Sequence, residues 1–203
     1  MADVNLDADS FLPSVEKSLE TLGVDSVDLL LVHWPSQADR VPLEVYMDAL
    51  AETKARGWTH NIGVSNFNID LLERTAALLG PDAIVTNQVE IHPYLQSPNL
   101  CRYARSRGLT LTAYQPLSKG AVHHDEVLGR IAAEHQATAA AVALAFLMSE
   151  GHVVIPASSS PVNLEANYAA LGIALTEQQK GSIWALDRAE RRINPAKAPR
   201  WDD

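Results

Sequence analysis

Cysteine is almost absent from this sequence, since Cys101 is the only one in 203 residues. A single cysteine excludes an internal disulfide and any Cys-x-x-Cys metal or redox pair. Long apolar runs are also absent, because no stretch of about 18 or more uninterrupted apolar residues occurs, and the N-terminus MADVNLDADS is acidic and polar. We therefore expect neither a membrane span nor a secretory signal, and predict a cytoplasmic protein.

Basic side chains are in the minority, with 16 Lys and Arg against 25 Asp and Glu and a net charge of −9. The electrostatic field of a protein with this negative charge repels nucleic acid and anionic membranes, so neither is expected as a partner. A phosphorylated ligand would need local donors that outweigh this field. The composition, 47% hydrophobic and 20% charged, is typical of a globular protein, and no linker is evident, so one domain over residues 1–203 is predicted.

Strand-like and helix-like patterns alternate along the chain, with short turns between them. The predicted strands cover residues 27–33, 60–65, 83–91, 109–117 and 152–158. Helices are predicted over residues 9–23, 42–57, 68–80, 98–108, 163–172 and 176–190, with one or two more between 125 and 151. No two strands are close enough to form a hairpin, and apolar runs such as LLLV and VVIP suit strands buried on both faces. The sequence therefore predicts an α/β fold with parallel strands.

Two architectures fit this alternation, a (β/α) barrel and a doubly wound sheet. The second is weakened because no GxGxxG or Walker loop follows a strand. Polar residues stand at the carboxyl ends of most strands: His33, Ser65, Asn66, Gln88, Glu90, Tyr114 and Ser158. A barrel gathers those ends into one mouth, where active sites of that architecture lie. Taken singly, however, His33 could be a buried histidine bonded to backbone, and Ser65 with Asn66 could be a helix cap.

Five segments occur in a specific order: LLLVHWP, IGVSNF, TNQVEIHPY, AYQPL, and VIPAS followed by NLEAN. From about residue 6 to the end, this pattern resembles the aldo-keto reductases, and within them the bacterial diketogluconate and methylglyoxal reductases. The resemblance implies a (β/α)8 barrel of the TIM type. It also implies an oxidoreductase that uses NAD(P)H to reduce a small-molecule carbonyl substrate, an aldehyde or a ketone.

The resemblance also implies roles for individual residues. His33 matches the family's catalytic histidine, which hydrogen-bonds the carbonyl oxygen and orients the substrate. Trp34 would line the substrate pocket beside it, with core packing as the alternative. The cofactor would be bound by the remaining matched positions: Ser65, Asn66 and Gln88 on the carboxamide, Tyr114 under the nicotinamide ring, Gln115 and Leu117 at the pyrophosphate, and Ser158 and Asn167 in the last segment.

The last segment departs from the family pattern, in which a lysine and an arginine bind the 2′-phosphate of NADPH. Ala157 stands in place of the lysine, Asn163 in place of the arginine and Ala166 in place of a glutamate. Two charge-assisted contacts to phosphate are thereby lost. The expected cofactor is NADPH, with a weakened preference that also admits NADH.

Five strands are fewer than the eight of the family barrel, and the resemblance begins just after the family's third strand. The proton-donating tyrosine, its aspartate and its lysine have no counterpart here. We expect a chain truncated at its N-terminus to about five βα units, with exposed barrel edges that favour self-association. Closure by another copy or another chain, and rearrangement into an open sheet, remain alternatives.

Two functions from different classes follow. The first is a reductase whose turnover is severely impaired, since the proton donor is absent from these residues. The second is an inactive family member that serves as a binding or interaction module. A metal-dependent hydrolase using His33 and His92 is a weaker third alternative. No metal is predicted, because no HxxxH spacing and no cysteine cluster occur.

Overall fold

The computed structural model describes residues 5–202, which form two compact units. The first unit contains residues 5–88, 102–110 and 194–202, and the second contains residues 89–101 and 111–193. The C-terminal residues 194–202 thus belong to the same unit as the N-terminal helix. The expectation of one domain over residues 1–203 stays a prediction.

The first unit is built on parallel strands that follow one another in the order β1-β2-β3. Their bounds are β1 Val27–Val32, β2 Thr59–Ser65 and β3 Ile84–Glu90, the last reaching residue 88 in this unit. Leu30 lies opposite Ile62, and Ser65 lies opposite Gln88. Because parallel strands end at the same edge of a sheet, the polar residues that follow these strands are brought together there.

Helices α1 (Phe11–Leu22), α2 (Leu43–Ala55) and α3 (Ile69–Leu79) connect and flank these strands. Helix α1 buries Phe11, Val15 and Leu19, which recur at helical spacing, so one face packs against the core. It ends at Gly23, whose φ of 69° is the left-handed conformation that glycine adopts most easily. Helix α3 begins after Asn68, whose side chain accepts a hydrogen bond from the Leu71 amide.

In the second unit, β4 (Thr110–Tyr114) pairs in parallel with β5 (Val153–Val154). The remaining helices of the chain are α4 Pro98–Arg107, of which residues 102–107 belong to the first unit, and α5 Glu126–Glu134, α6 Ala139–Ser149, α7 Pro161–Tyr168 and α8 Glu177–Trp184 in the second. Helix α6 is buried without interruption from Ala140 to Leu147, so it forms the centre of this unit's core. Between residues 125 and 151, where one or two helices were predicted, the structure contains two, α5 and α6.

Three predicted boundaries were wrong in this unit. Strand 109–117 ends at Tyr114, because Gln115 has a φ of 52° and leaves the extended region. Strand 152–158 consists only of β5, since Pro156 has no amide to donate and the Ser160 amide bonds Ser158 Oγ in a turn. Helix α7 accordingly begins at Pro161 rather than residue 163.

The last predicted helix, 176–190, ends at Trp184. Beyond it, Gln96 Nε2 donates to the carbonyl oxygens of Ile183 and Trp184. The amides of Arg188 and Glu190 both donate to the Tyr94 carbonyl oxygen, at 3.3 and 2.9 Å. These tertiary hydrogen bonds replace the helical ones that the sequence pattern predicts.

Within residues 5–202, no single helix has both the length and the apolarity needed to cross a membrane. Helices α5 and α6 meet those criteria of length and composition only as a pair, and they are bent by 89° relative to each other.

Candidate active site

Asn66 connects the ends of the three strands of the first unit. Its Nδ2 donates to the His33 carbonyl oxygen at 2.9 Å and to Ser65 Oγ at 3.0 Å, and its backbone amide donates to the Gln88 carbonyl oxygen at 2.9 Å. Ser65 Oγ donates to the same Gln88 oxygen at 2.7 Å. The first unit thus brings His33, Ser65, Asn66 and Gln88 together, as expected for residues at the ends of neighbouring parallel strands.

Asn66 is buried and has a φ of 63°, a left-handed conformation that asparagine tolerates better than most residues. The conformation turns the chain sharply after β2 and directs the carboxamide at the neighbouring strand ends. Two properties of asparagine are therefore used at this position, its tolerance of a left-handed backbone and its hydrogen-bonding carboxamide.

Replacing Asn66 by alanine is expected to lower the free energy of unfolding by about 1–2 kcal/mol, because two side-chain hydrogen bonds are lost. Urea unfolding measures this change. Asn66→Gly is the control, since glycine keeps the left-handed backbone at no steric cost and removes only the hydrogen bonds. An Asn66→Gly protein as stable as the parent would show that these hydrogen bonds contribute nothing.

Asn87 is a residue of this region that the sequence motifs did not predict. It is fully buried, and its Nδ2 donates to the Phe67 carbonyl oxygen at 2.9 Å while its Oδ1 accepts from the Phe67 amide at 3.4 Å. The pair of bonds holds the turn that follows Asn66. The sequence does contain a signal for Asn87, because it is a second side-chain amide directly before Gln88, near the end of a predicted strand.

His33 is exposed, whereas Trp34 is buried with 5% of its surface accessible. The Trp34 ring packs edge to face against His33 and against Trp201, with centroid distances of 6.4 and 6.2 Å. Lys197 Nζ lies 5.6 Å from the centroid of the same ring. The contact of Trp34 with a substrate stays a prediction.

The C-terminal residues around Trp201 are held against the start of α3. The Ile69 amide donates to Asp202 Oδ2 at 2.8 Å, and Asn68 Nδ2 donates to the Arg200 carbonyl oxygen at 2.9 Å. Trp201 Nε1 donates to Asn194 Oδ1. No sequence motif predicts a role for these residues, although a tryptophan so near the C-terminus is a signal that the segment is packed.

The second unit contains the other group of predicted site residues. A cavity of about 290 Å³ has Gln115, Leu117, Ser158 and Asn167 among the residues that line it. Tyr114, at the end of β4, directly precedes this loop and is half-buried. Burial raises the pKa of Tyr114, and the nearby Glu90 carboxylate raises it further, so the ring is a neutral phenol at physiological pH.

A buried network around Glu90 lies in the same unit. The Tyr94 amide donates to His92 Nδ1 at 3.3 Å, which leaves the proton on Nε2, and Nε2 donates to Glu90 Oε1 at 3.0 Å. Glu90 also accepts from the backbone amides of Arg192 and Ile193, at 2.6 and 2.8 Å. Burial alone would raise the pKa of Glu90, but these hydrogen bonds outweigh it and hold that pKa below its ordinary value.

His92 is therefore a packed, hydrogen-bonded histidine. In the part of the chain that the structure describes, no three His, Cys, Asp or Glu side chains are grouped so that they could hold a metal ion.

The aldo/keto reductase family model matches residues 1–188. Methylglyoxal reductase DkgB of Escherichia coli O157:H7 is 45% identical over 98% of this chain and 74% of its own length. The crystal structure of a protein described as a 2,5-diketo-D-gluconic acid reductase B superposes with a TM-score of 0.93 at 39% identity, over 98% of this chain and 71% of that one.

A mutant of Gox0644, solved in complex with NADPH, superposes with a TM-score of 0.86 at 32% identity, over 95% of this chain and 70% of that one. Together with the parallel strands and flanking helices, these matches confirm the predicted α/β fold class of the (β/α)8 barrel type. The predicted resemblance is also confirmed, and the chain belongs to the aldo/keto reductase family of oxidoreductases.

Proposed function

We propose that this chain binds a reduced nicotinamide dinucleotide, NADPH or NADH, and promotes reduction of small aldehydes and ketones with it. The observation that carries the proposal is the cavity of the second unit. Gln115, Leu117, Ser158 and Asn167, four residues that match the family's cofactor positions, line this one cavity. The NADPH complex of Gox0644 supports the same class of cofactor.

Each unit contains side chains whose chemistry suits a part of such a cofactor. A carboxamide offers one acceptor and two donors, which the polar side chains of Ser65, Asn66 and Gln88 can satisfy. The Tyr114 ring offers an aromatic face, worth about 0.5–1.5 kcal/mol beyond area burial when a ring stacks on it. When bound, the dinucleotide would supply the hydride that reduces the carbonyl carbon.

His33 would donate a hydrogen bond to the carbonyl oxygen of the substrate and so orient it, because it is exposed and its backbone is fixed by Asn66. Trp34 would form an apolar wall beside it. No residue in the sequence matches the family's proton-donating tyrosine. We therefore expect turnover lower by about 10²- to 10⁴-fold than with a positioned general acid.

The test is to mix the purified chain with NADPH and methylglyoxal, and to follow binding by tryptophan fluorescence and oxidation by nicotinamide absorbance. DkgB of Escherichia coli serves as the reference enzyme. Binding with slow oxidation supports the proposal, and binding with no oxidation above the rate without protein favours a nucleotide-binding module instead. Absence of binding to either dinucleotide would overturn the proposal, and oxidation as fast as in DkgB would contradict the missing proton donor.

The cofactor preference is a separate prediction. Ala157 and Asn163 are both neutral and both line the cavity, so two charge-assisted contacts to a 2′-phosphate are lost. We expect NADPH to bind less than about a hundredfold more tightly than NADH, since each lost contact corresponds to roughly tenfold or more in affinity. Titration with the two dinucleotides measures the ratio, and a larger preference for NADPH would show that other groups select the 2′-phosphate.

A further inference from the structure

Helix α7 contains no fully buried residue, although large apolar and aromatic side chains occur in it. Leu164 and Tyr168, together with Leu171 in the 3₁₀ turn that follows the helix, lie at intervals of four and three residues, so they share one side of this segment. Tyr168 is 76% exposed and Leu171 is 65% exposed. A contiguous group of exposed apolar side chains of this kind indicates an interaction surface.

A groove of about 500 Å³ adjoins this side of α7. Leu164, Tyr168 and Leu171 line it, as do Val153 of β5 and Met148 of α6. Val153 is half exposed, and β5 pairs with β4 and with no other strand among residues 5–202. The surface formed by Val153, Leu164, Tyr168 and Leu171 is called the α7 face below.

The α7 face differs in charge from the rest of this acidic protein. The chain has 25 carboxylate residues and a net charge of −9, but between residues 151 and 175 it has one carboxylate, Glu165, and no lysine or arginine. No Asp, Glu, Lys or Arg is among the described residues that line the groove. Two copies of the chain repel each other at long range, and this face is where they can meet without bringing like charges together. A basic partner would instead be attracted to the acidic remainder of the surface.

The size and composition of the α7 face also suit contact between two copies. Its four exposed side chains offer on the order of 400 Å² of apolar surface. An interface of standard size buries about 800 Å² from each partner, and a polar rim supplies the area outside its apolar centre. Aromatic residues and methionine are enriched at such centres and charged residues are depleted, which is the composition found around Tyr168 and Met148.

We propose that the α7 face is the contact surface between two copies of this chain, related by a two-fold axis that passes near Tyr168. In such an interface the same surface of both copies is used, so each apolar contact occurs twice. The Tyr168 ring of one copy lies against the groove of the other, where the flexible Met148 side chain adapts to it. This inference goes beyond the proposed function and is independent of it, because no dinucleotide takes part in the contact.

The experiment measures the mass of the parent chain by sedimentation velocity at concentrations from about 1 to about 100 µM, at low and at high salt. Leu171→Glu places a carboxylate on the α7 face of each copy, and Tyr168→Ser removes apolar surface without adding charge. Leu22→Glu is the matched control, because Leu22 lies at the end of α1 and is 66% exposed, almost the same fraction as Leu171. Circular dichroism verifies that each variant is folded.

We expect the parent to change from monomer to dimer as its concentration rises, and to dimerise more tightly at high salt, because salt screens the repulsion between two acidic copies. Leu171→Glu should weaken dimerisation by about a hundredfold or more, since like charges are brought together twice. Tyr168→Ser should weaken it by at least about tenfold. Leu22→Glu should dimerise like the parent.

Several results would overturn the proposal. A parent that stays monomeric over the whole range would show that the α7 face has another occupant or none. Dimers that persist equally in the folded Leu171→Glu and Tyr168→Ser variants would place the contact elsewhere, and so would equal losses in Leu171→Glu and Leu22→Glu. Association that continues beyond the dimer would contradict the two-fold axis, and dimers that dissociate at high salt would show that ion pairs hold the copies together.

Discussion

Replacing Glu90 by alanine is expected to lower the free energy of unfolding by about 3–5 kcal/mol, the usual cost of removing one partner from a buried charged network. Glu90 and His92 are both fully buried. Without the carboxylate, His92 Nε2 and the amides of Arg192 and Ile193 lose their acceptor. Each buried donor left unpaired is costly, and the cavity left by the side chain adds to the loss.

Urea unfolding measures this effect. Glu16→Ala on α1 is the matched control, because Glu16 is exposed and a surface substitution of this kind changes stability by less than about 0.5 kcal/mol. If Glu90→Ala were no more destabilising than Glu16→Ala, the described network would contribute nothing to stability. The amide exchange of Arg192 and Ile193 gives a second measurement, since both amides should lose protection in the Glu90 variant.

The Glu90 network also makes stability depend on pH. The folded-state pKa of Glu90 lies below its ordinary value, so its contribution is fully present above that ordinary value of about 4.3 and is lost as the pH falls through the folded pKa. The stability difference between the parent and Glu90→Gln should therefore be largest at neutral pH and shrink below pH 4. A difference that stays constant with pH would contradict an ionised Glu90.

The consequences of the Glu90 substitution extend to the proposed cofactor cavity. Glu90 holds the backbone of Arg192, and the Arg192 side chain in turn holds Ser118 next to Lys119. Without the Glu90 carboxylate, Arg192 is held less firmly, and the turn of Lys119 and Gly120, which line that cavity, becomes looser. The Glu90 variant should therefore bind NADPH less tightly even under conditions in which it remains folded.

Gly63→Ala is expected to lower the free energy of unfolding by about 1–3 kcal/mol, the usual cost of overpacking a core. A Cβ at this position in β2 would lie 2.6 Å from Leu31 Cδ2, 2.9 Å from the Thr86 carbonyl oxygen and 3.0 Å from Thr86 Cγ2. One of these atoms belongs to the backbone of the neighbouring strand and cannot move without shifting that strand. The glycine is thus required by the close approach of β1, β2 and β3.

Gly129→Ala provides the matched control for Gly63→Ala, since it introduces the same methyl group. Gly129 lies in α5, is exposed, and has no heavy atom within 4 Å of the added Cβ. Alanine should stabilise the protein there by about 0.4–1 kcal/mol, because it restricts the unfolded chain and favours the helix. Thermal or urea unfolding of the two variants should therefore change in opposite directions, and a Gly63→Ala protein as stable as the parent would contradict the close approach at Gly63.

Much of the fold could be predicted from local pattern. Helix α1 was predicted over residues 9–23 and spans Phe11–Leu22, because its apolar spacing and its terminal glycine are local signals. The strands of the first unit were similarly placed, since apolar runs such as LLLV suit a parallel strand. The expected burial of that run on both faces was wrong, because Leu29 is exposed and only Val32 is fully buried. Parallel pairing then brought His33, Asn66 and Gln88 together without further information.

The last third of the chain shows where local pattern is insufficient. The stretch after Trp184 has helical spacing, but tertiary hydrogen bonds from Arg188 and Glu190 to the Tyr94 carbonyl oxygen hold it in an irregular path. Such bonds join residues about 90 positions apart, and no local signal specifies the partner. Glu90 is a second example, because the backbone amides that donate to its carboxylate lie about 100 residues further along the chain.

The sequence by itself determined the α/β class, the family and the identities of the residues at the strand ends, because these depend on local periodicity and on ordered motifs. Only the tertiary structure decided that Asn66 joins three strand ends, that Glu90 holds the backbone at Arg192, and that Lys119 and His123 line the same cavity as Ala157 and Asn163. Those arrangements depend on distances between residues far apart in the chain, which packing sets and which no spacing in the sequence encodes.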